Sequence, residues 1–435
     1  MTNPGIAAQQ ALVGQRAFDA DTIVRTTLFI AVFALMWISV HPFSSLAEAP
    51  LPTSEGGDRL NQIAFAGLFS IFAAWVYFVY PLGLKPLLRP ALIAMLAWFA
   101  LSIVLSWDPS LSLRRFAFAI VMLGLASITL LLPKNLRHFC DLMAAVTLIV
   151  LSLCYFGVIF IPENAVHQLT DYLEPEHAGS WRGIFPHKNQ AGAMMVVFAL
   201  IGLFVARVRS RGLGALIVVS SLLFLVFTRS KTPIGLLPLA LIVSSIVINT
   251  RRPILGVTVA IATLIMLNAL TVGSVFVDPI REVLDLVIAD SSFTGRTDIW
   301  KFAIGELMNR PITGFGFGAF WGTEQVVFGL SESMTWATAA TDAHNGYLNV
   351  ALTTGIPGLL LAISWIAVLP VMDYYRHGDD EGSRQMAILF VRIAVFGIYM
   401  SVFEGTLFQQ AGEFWFILTV AIFGLRYLSL ARVAP

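Results

Sequence analysis

The sequence is poor in charged residues. Only 12% of its 435 residues are Asp, Glu, Lys or Arg, while 57% are hydrophobic, and the net charge is +1. So few charges cannot cover the surface of a soluble globule, and the balanced charge leaves no basic footprint for a nucleic-acid partner. Together with a mean hydropathy of +0.81, these shortages predict an integral membrane protein.

Cysteine is also scarce. Cys140 and Cys154 are the two in the chain, and they fall on one apolar run. If that run is helical, the two residues lie about 21 Å apart, which excludes a disulfide between them. No signal-peptide pattern opens the sequence, so the first apolar run is expected to be a retained span.

What the chain does contain is long apolar runs. A helix needs about 20 mostly apolar residues to cross a bilayer. The pattern therefore predicts an all-α polytopic membrane protein, a single membrane domain over residues 1–435, with about twelve transmembrane helices near 26–41, 61–80, 91–107, 116–133, 139–162, 190–206, 213–228, 233–248, 254–277, 346–371, 387–405 and 413–430.

Lys and Arg in the connections predict the orientation. With both termini inside, fifteen of these residues lie on the cytoplasmic side and seven in short outer loops. The polar connections 163–189, 229–232 and 278–345 then all lie outside, the last as a large periplasmic loop between spans 9 and 10. Seven outer cations oppose the usual bias, which an anionic ligand at that face would explain.

The first outer connection ends in "WRGIFPHKNQAG". Arg182, His187, Lys188 and Asn189 lie here, directly before an apolar run. Unpaired N–H groups and the dipole of a helix start favour anions, so this cation-rich segment predicts an anion cradle. The alternative is an ordinary interfacial belt.

The second outer connection, "FTRSKTPIG", is only four residues long. Thr232 is expected to cap the following helix, with Pro233 at its first position, so that Arg229 and Lys231 face another helix start. The alternative is two cations that snorkel to the interface. No glycines precede "SKT", which excludes a phosphate-binding P-loop.

The large loop contains "SSFTGRTDIWKFAIGELMNRP". Thr297 or Asp298 is expected to cap a short interfacial helix that ends at Pro311, with Arg296 just before it. Next comes "GFGFGAFWG", which lacks dinucleotide-fold spacing and predicts a flexible aromatic loop over a sugar.

The stretch "TDAHNGYLNV" places His344 at the start of an apolar run. The positive end of a helix disfavours the imidazolium, which predicts a neutral ring that takes a proton, oriented by Asp342 or Asn345. The alternative is a structural helix cap.

No metal is expected. His167, His177 and His187 are ten residues apart, and no H-E-x-x-H motif is present.

Glu404 is the remaining candidate. A carboxylate near the end of an apolar run is expensive in lipid and indicates a functional group, unless it already lies in water.

These segments resemble one family. "RGIFPHKNQAG", "TRSKT", "SSFTGRTDIW", "RPITGFGFGAFW" and "DAHNGYLNVALTTGIPGLL" are similar to the O-antigen ligase and polymerase superfamily, and "HKN" is most like the exopolysaccharide-polymerase branch. The resemblance is strongest over residues 181–360.

The resemblance implies a metal-independent, inverting glycosyltransferase of the bacterial inner membrane that needs no cofactor. Its active site would face the periplasm and use glycan carried on undecaprenyl diphosphate. The acceptor would be another saccharide, as in a polymerase, or the lipid A core, as in a ligase, and the other contacts would be membrane lipids and polysaccharide-assembly proteins.

The resemblance also assigns residues. His344 matches the catalytic histidine of the family, and Arg229 and Arg296 match its essential arginines. Arg182, His187, Lys188 and Asn189 match a less uniform segment. With Lys231, Asn345 and Glu404, these four complete the predicted substrate-binding set.

A transporter or flippase of lipid-linked sugars is the alternative from another class. Twelve spans with both termini inside suit one, but the sequence shows neither repeated halves nor a polar midplane.

Overall fold

The computed structural model describes residues 4–39, 41–47, 59–80, 83–172, 174–287, 295–329, 340–409 and 412–430. Within these ranges the regular elements are helices, and one isolated β-bridge joins Val166 to Trp181. The predicted all-α fold is confirmed for this part of the chain.

Every predicted apolar run falls on a helix. The helices of ten or more residues are α1 Pro4–Trp37, α2 Arg59–Val79, α3 Pro90–Val104, α4 Pro109–Thr129, α5 Leu136–Phe160, α6 Lys188–Val208, α7 Arg211–Thr228, α8 Lys231–Asn249, α9 Pro253–Leu270, α10 Asp278–Val287, α11 Arg296–Asn309, α12 Gly346–Tyr374, α13 Glu381–Met400 and α14 Glu413–Leu428.

Ten of these helices are long and apolar enough to cross a membrane, judged among the described residues by length and composition. The protein is therefore a polytopic membrane protein. Helices α3 and α14 coincide with predicted spans but have only 15 and 16 residues, fewer than a bilayer core normally needs. Twelve crossings stay a prediction.

Several helices begin at polar caps that the sequence supplies. The side chains of Asp108, Asn135, Ser210 and Asp380 each accept the backbone N–H three residues further on. Pro109 follows Asp108 at a position where a missing N–H costs nothing. These caps place the boundaries of α4, α5, α7 and α13.

Two of the ten candidate spans are mostly buried within the bundle. In α6 and α13, 78% and 83% of the residues in the apolar window are buried, against 17% in α2. A helix that is apolar all round is buried among other helices. The described connections at the start of α6 and the end of α13 therefore lie over the middle of the bundle.

Helix α12 bends at Gly355, whose φ is +73°. A side chain there would collide with the carbonyl of Ile312. The bend lets the segment before α12 pack into it, because Ile356 N–H donates to Pro311 O at 2.8 Å and Phe315 N–H to Leu352 O at 3.0 Å. Only glycine combines this backbone angle with such close contact.

The large loop differs in detail from its prediction. Helix α11 starts at Arg296, and its N-cap is Gly295 without a side-chain cap, so capping by Thr297 or Asp298 is wrong. Its end before Pro311 is confirmed. The buried face of α11 consists of Ile299, Trp300 and Ala303. It belongs to one apolar cluster with Phe315, Phe320 and Leu352.

The "GFGFGAFWG" segment is packed rather than free. Phe315, Phe317 and Phe320 are all buried, and Ser112 Oγ donates to Phe317 O at 2.9 Å. The prediction of a flexible aromatic loop is therefore wrong. Because these rings fill space between the helices, the segment is part of the protein core.

Candidate active site

His344 lies just before helix α12, in a left-handed backbone conformation with φ +45°. Asp342 Oδ1 accepts its backbone N–H at 2.5 Å, and Trp300 Nε1 donates to Ala343 O at 2.9 Å. The side chain of His344 is 34% exposed, so the ring is held by its backbone and reachable from solution. A non-glycine residue in this conformation marks a strained position.

Two carboxylates face the ring. His344 Nδ1 lies 3.7 Å from Glu404 Oε2 and 3.8 Å from Asp342 Oδ1, longer than hydrogen bonds. With both carboxylates at Nδ1, the neutral ring carries its proton there, and Nε2 keeps the lone pair.

These carboxylates also set the charge of the ring. Burial disfavours the imidazolium, but Glu404 and Asp342 outweigh it and raise the pKa of His344 above its ordinary value. The expected neutral ring is therefore not what the local charges favour. The helix end disfavours the imidazolium, but the sequence does not show that the Glu404 carboxylate lies beside the ring and favours it.

Asn345 does not orient His344. It is the N-cap of α12, where its Oδ1 accepts the Leu348 N–H at 2.9 Å. Its Nδ2 donates to Asn268 Oδ1 at 3.0 Å and to Val402 O at 2.9 Å. Only 1% exposed, Asn345 caps the helix and has no free face for substrate.

Glu404 lies in the turn after α13 and joins distant parts of the chain. Arg296 Nη2 donates to Glu404 Oε1 at 3.0 Å, and Arg296 Nη1 donates to Phe403 O. Burial would raise the pKa of Glu404, but Arg296 and His344 hold it at about 2. Glu404 is thus ionised, paired and only 18% exposed, unlike a helix-end residue in water.

Asn189 extends this network to the first two outer connections. Its Nδ2 donates to Glu404 Oε1 at 2.9 Å, and its Oδ1 accepts from Ser230 Oγ at 2.8 Å. Ser230 is the N-cap of α8, which makes the expected Thr232 cap wrong. Ser230 is absent from the predicted site residues, and its position between Arg229 and Lys231 is the signal in the sequence that points to it.

Arg229 and Lys231 stand on either side of Ser230 and are exposed. Arg229 is the left-handed C-cap of α7, with φ +52°, and its Nη1 lies 3.5 Å from Ala178 O. Lys231 is the first residue of α8. Two exposed cations are thus held on either side of the serine that donates to Asn189.

Arg182 is placed differently from the expectation of a ligand-binding cation. It is 1% exposed, and it donates to Phe185 O at 3.1 Å and to Ser44 O at 2.6 Å. Its guanidinium therefore stabilises the connection before α6. The predicted anion cradle therefore does not include Arg182.

Three histidines that the sequence separates by ten residues lie together. The ring centroids of His167, His177 and His187 are 5.2 to 5.8 Å apart. The spacing argument against a cluster is wrong, because the bridge between Val166 and Trp181 folds the connection back on itself.

Glu174 lies against two of these rings. Its Oε2 is 2.9 Å from His187 Nε2, and its Oε1 is 3.8 Å from His177 Nε2. Potential ligand atoms of Glu174, His177 and His187 all lie within 4.8 Å of one another. His187 is also the N-cap of α6, with Nδ1 accepting from the Asn189 N–H at 3.1 Å.

A cavity of about 240 Å³ lies on the Asp342 side of the site. Asp342 lines it, as do Arg115, Trp321 and Asn349, while His344 does not. Trp321 Nε1 donates to Asn349 Oδ1 at 2.7 Å. Aromatic faces beside amide, carboxylate and guanidinium groups suit a saccharide, which has both apolar faces and hydroxyl edges.

The chain matches a known family over part of its length. A family model described as O-antigen ligase matches residues 194–363. The resemblance to the O-antigen ligase and polymerase superfamily is confirmed. The match contains Arg229, Arg296 and His344, whereas Asn189 and Glu404 lie outside it and are linked to the site by their contacts.

A curated relative agrees with this. The chain is 25% identical over 238 residues to the exopolysaccharide production protein ExoQ of Rhizobium meliloti (strain 1021). The alignment covers 50% of this chain and 53% of that protein, so the chain spans about half the length of the relative it matches.

Proposed function

We propose that this protein is a glycosyltransferase of exopolysaccharide or O-antigen assembly that extends a saccharide with glycan carried on undecaprenyl diphosphate. The proposal rests on the polar network beside His344. In this network Glu404 accepts hydrogen bonds from Arg296 and Asn189, so that three separate connections of the chain meet near His344. Its site is placed at the periplasmic face of the inner membrane, as the distribution of Lys and Arg favours.

In the proposed mechanism His344 is the general base. Its Nε2 takes the proton of an acceptor hydroxyl while that oxygen bonds to the anomeric carbon of the donor. The bond from this carbon to the diphosphate oxygen breaks, and the diphosphate leaves with the electron pair. A single displacement of this kind inverts the anomeric configuration, and ionised Glu404 stabilises the imidazolium that forms.

The leaving diphosphate needs cations rather than a base. Arg296, beside His344, and the exposed Arg229 and Lys231, with Lys188, supply them. Such charge-assisted contacts are strongest where water is excluded, and they stabilise the departing charge without a divalent metal. The acceptor sugar is proposed to enter from the cavity lined by Asp342 and Trp321.

The proposal is tested with His344→Ala in full-length protein reconstituted with purified lipid-linked donor. Loss of a general base is expected to lower transfer by about 10²- to 10⁴-fold. The matched control is His377→Ala, at the opposite end of the bundle, which should transfer glycan at the wild-type rate. Full transfer by His344→Ala would contradict the mechanism.

The same assay separates the alternatives. Donor is supplied on the outer face, where a flippase is dispensable, and the acceptors are either more donor or lipid A core. Consumption of donor as acceptor supports a polymerase, and consumption of lipid A core supports a ligase. Failure to release undecaprenyl diphosphate with either acceptor would refute glycan transfer.

A further inference from the structure

We propose that Glu174, His177 and His187 bind one divalent transition-metal ion of the Zn²⁺ class. The site lies in the connection before α6 and goes beyond the transfer reaction, because none of the three side chains is placed at His344. The ion would link Glu174 to the two histidines of this connection and would not act on the reacting atoms.

The donor set fits such an ion. Two imidazoles and one carboxylate are common ligands of Zn²⁺, which binds them at about 2.0 to 2.2 Å. Donor atoms around a tetrahedral ion at that radius lie about 3.3 Å apart. The two oxygens of Glu174 each face one ring, Oε2 at 2.9 Å from His187 Nε2 and Oε1 at 3.8 Å from His177 Nε2. One ligand atom from each of the three residues lies within 4.8 Å of the others, so small side-chain rotations bring them to this spacing.

The surroundings support the same set. His167 packs edge-on against both ligand rings but is engaged on both nitrogens, by Asp171 Oδ2 at 2.8 Å and by the Lys188 N–H at 3.3 Å. His167 therefore packs against the proposed ligands and has no nitrogen left to act as a fourth ligand. The Glu174 side chain is 44% exposed, so an ion enters from solution and water completes its coordination.

Ion binding at this site has a defined consequence. His187 Nδ1 now accepts the Asn189 N–H, so its ring proton sits on Nε2, beside Glu174. A metal ion on Nε2 moves that proton to Nδ1, and the cap bond is lost. The ion is thereby coupled to the first turn of α6, where Lys188 and Asn189 lie.

The test is zinc binding by the full-length protein in lipid nanodiscs, purified with a tag that contains no histidine. After incubation with Zn²⁺ and desalting, elemental analysis is expected to find one ion per wild-type chain. Glu174→Gln and His177→Ala should each weaken binding by at least about tenfold, the smallest loss expected even for an outer-shell partner.

The matched controls are Glu176→Gln, two residues from Glu174 on the same connection, and His377→Ala. Both should bind zinc as the wild type does. Nitrogen NMR of His187 gives a second readout, because its proton should move from Nε2 to Nδ1 when zinc is added. No stoichiometric ion in the wild type would overturn the proposal, as would equal uptake by all four variants.

Discussion

Two parts of the candidate active site differ in how far their charges are already paired. The packed part consists of His344, Glu404, Arg296 and Asn189, where each side chain has a polar neighbour within 3.7 Å. The exposed part consists of Arg229 and Lys231. In the described residues Lys231 has no ion-pair partner, and Arg229 reaches only Ala178 O at 3.5 Å.

The two parts are therefore expected to act in different steps of the proposed reaction. Groups that are desolvated and paired before substrate arrives cost no reorganisation during the reaction, which suits the base and its neighbours. Exposed cations are free to exchange water for an anion, which suits binding of a charged donor. Substitutions in the packed part should lower the chemical rate, and those in the exposed part should weaken donor binding.

Among substitutions of the residues around His344, the largest effect is expected for Arg296→Ala. This change leaves the Glu404 carboxylate without its guanidinium partner, so transfer should fall by about 10²- to 10³-fold. The midpoint of thermal unfolding should also drop, because breaking a buried pair leaves an uncompensated charge. Lys301→Ala, on the exposed side of the same helix, is the control for both measurements.

Arg296→Lys sharpens this prediction. A lysine keeps the charge but cannot reproduce the planar guanidinium that reaches both Glu404 and Phe403 O. It should therefore recover stability better than transfer. Wild-type transfer by either variant would show that Arg296 does not support the proposed transfer reaction.

The second effect is a shift in pH dependence for Glu404→Gln. Transfer needs the neutral ring of His344, so kcat/KM should rise with pH through the pKa of that ring. Glu404 and Asp342 raise this pKa in the wild type. Removing the Glu404 charge destabilises the imidazolium, so the rising limb should move to lower pH.

This shift is measured from kcat/KM profiles of the wild type and the variant at fixed ionic strength. Asp342→Asn should move the limb in the same direction. A limb that stays in place in Glu404→Gln would show that Glu404 does not act on the His344 charge.

The smallest effect is expected in the exposed part. Arg229→Ala or Lys231→Ala should raise the donor KM by about tenfold, the loss of one charge-assisted hydrogen bond, with a smaller fall in kcat because the same cation also faces the departing diphosphate. The effect should shrink as salt is added, because exposed charges are screened. Thermal stability should stay at the wild-type level.

The comparison of these two variants also identifies which cation contacts the diphosphate, since that residue gives the larger rise in KM. Arg211→Ala, an exposed arginine at the other end of α7, is the control. A fall in kcat at unchanged donor KM would place the residue in the packed part instead.

The sequence predicted some site residues better than others. Motifs single out His344, Arg229 and Arg296, and Glu404 stands out because a carboxylate at the end of an apolar run is unusual; the structure brings His344, Arg296 and Glu404 together. Ser230 and the contacts of Asn189 were not found, since a serine or an amide carries no signal until its partner is known. The sequence predicts Arg182 as a ligand-binding cation because it does not show that the guanidinium is buried against backbone carbonyls, one of them from the distant Ser44.

What the sequence by itself determined is the fold class and the position of its helices. Long apolar runs with polar caps produce membrane helices through local interactions, which need no knowledge of neighbours. The tertiary structure alone decided which polar side chains meet. The Glu404 network and the histidine cluster join residues far apart in the chain, and only packing of the helices brings them within bonding distance.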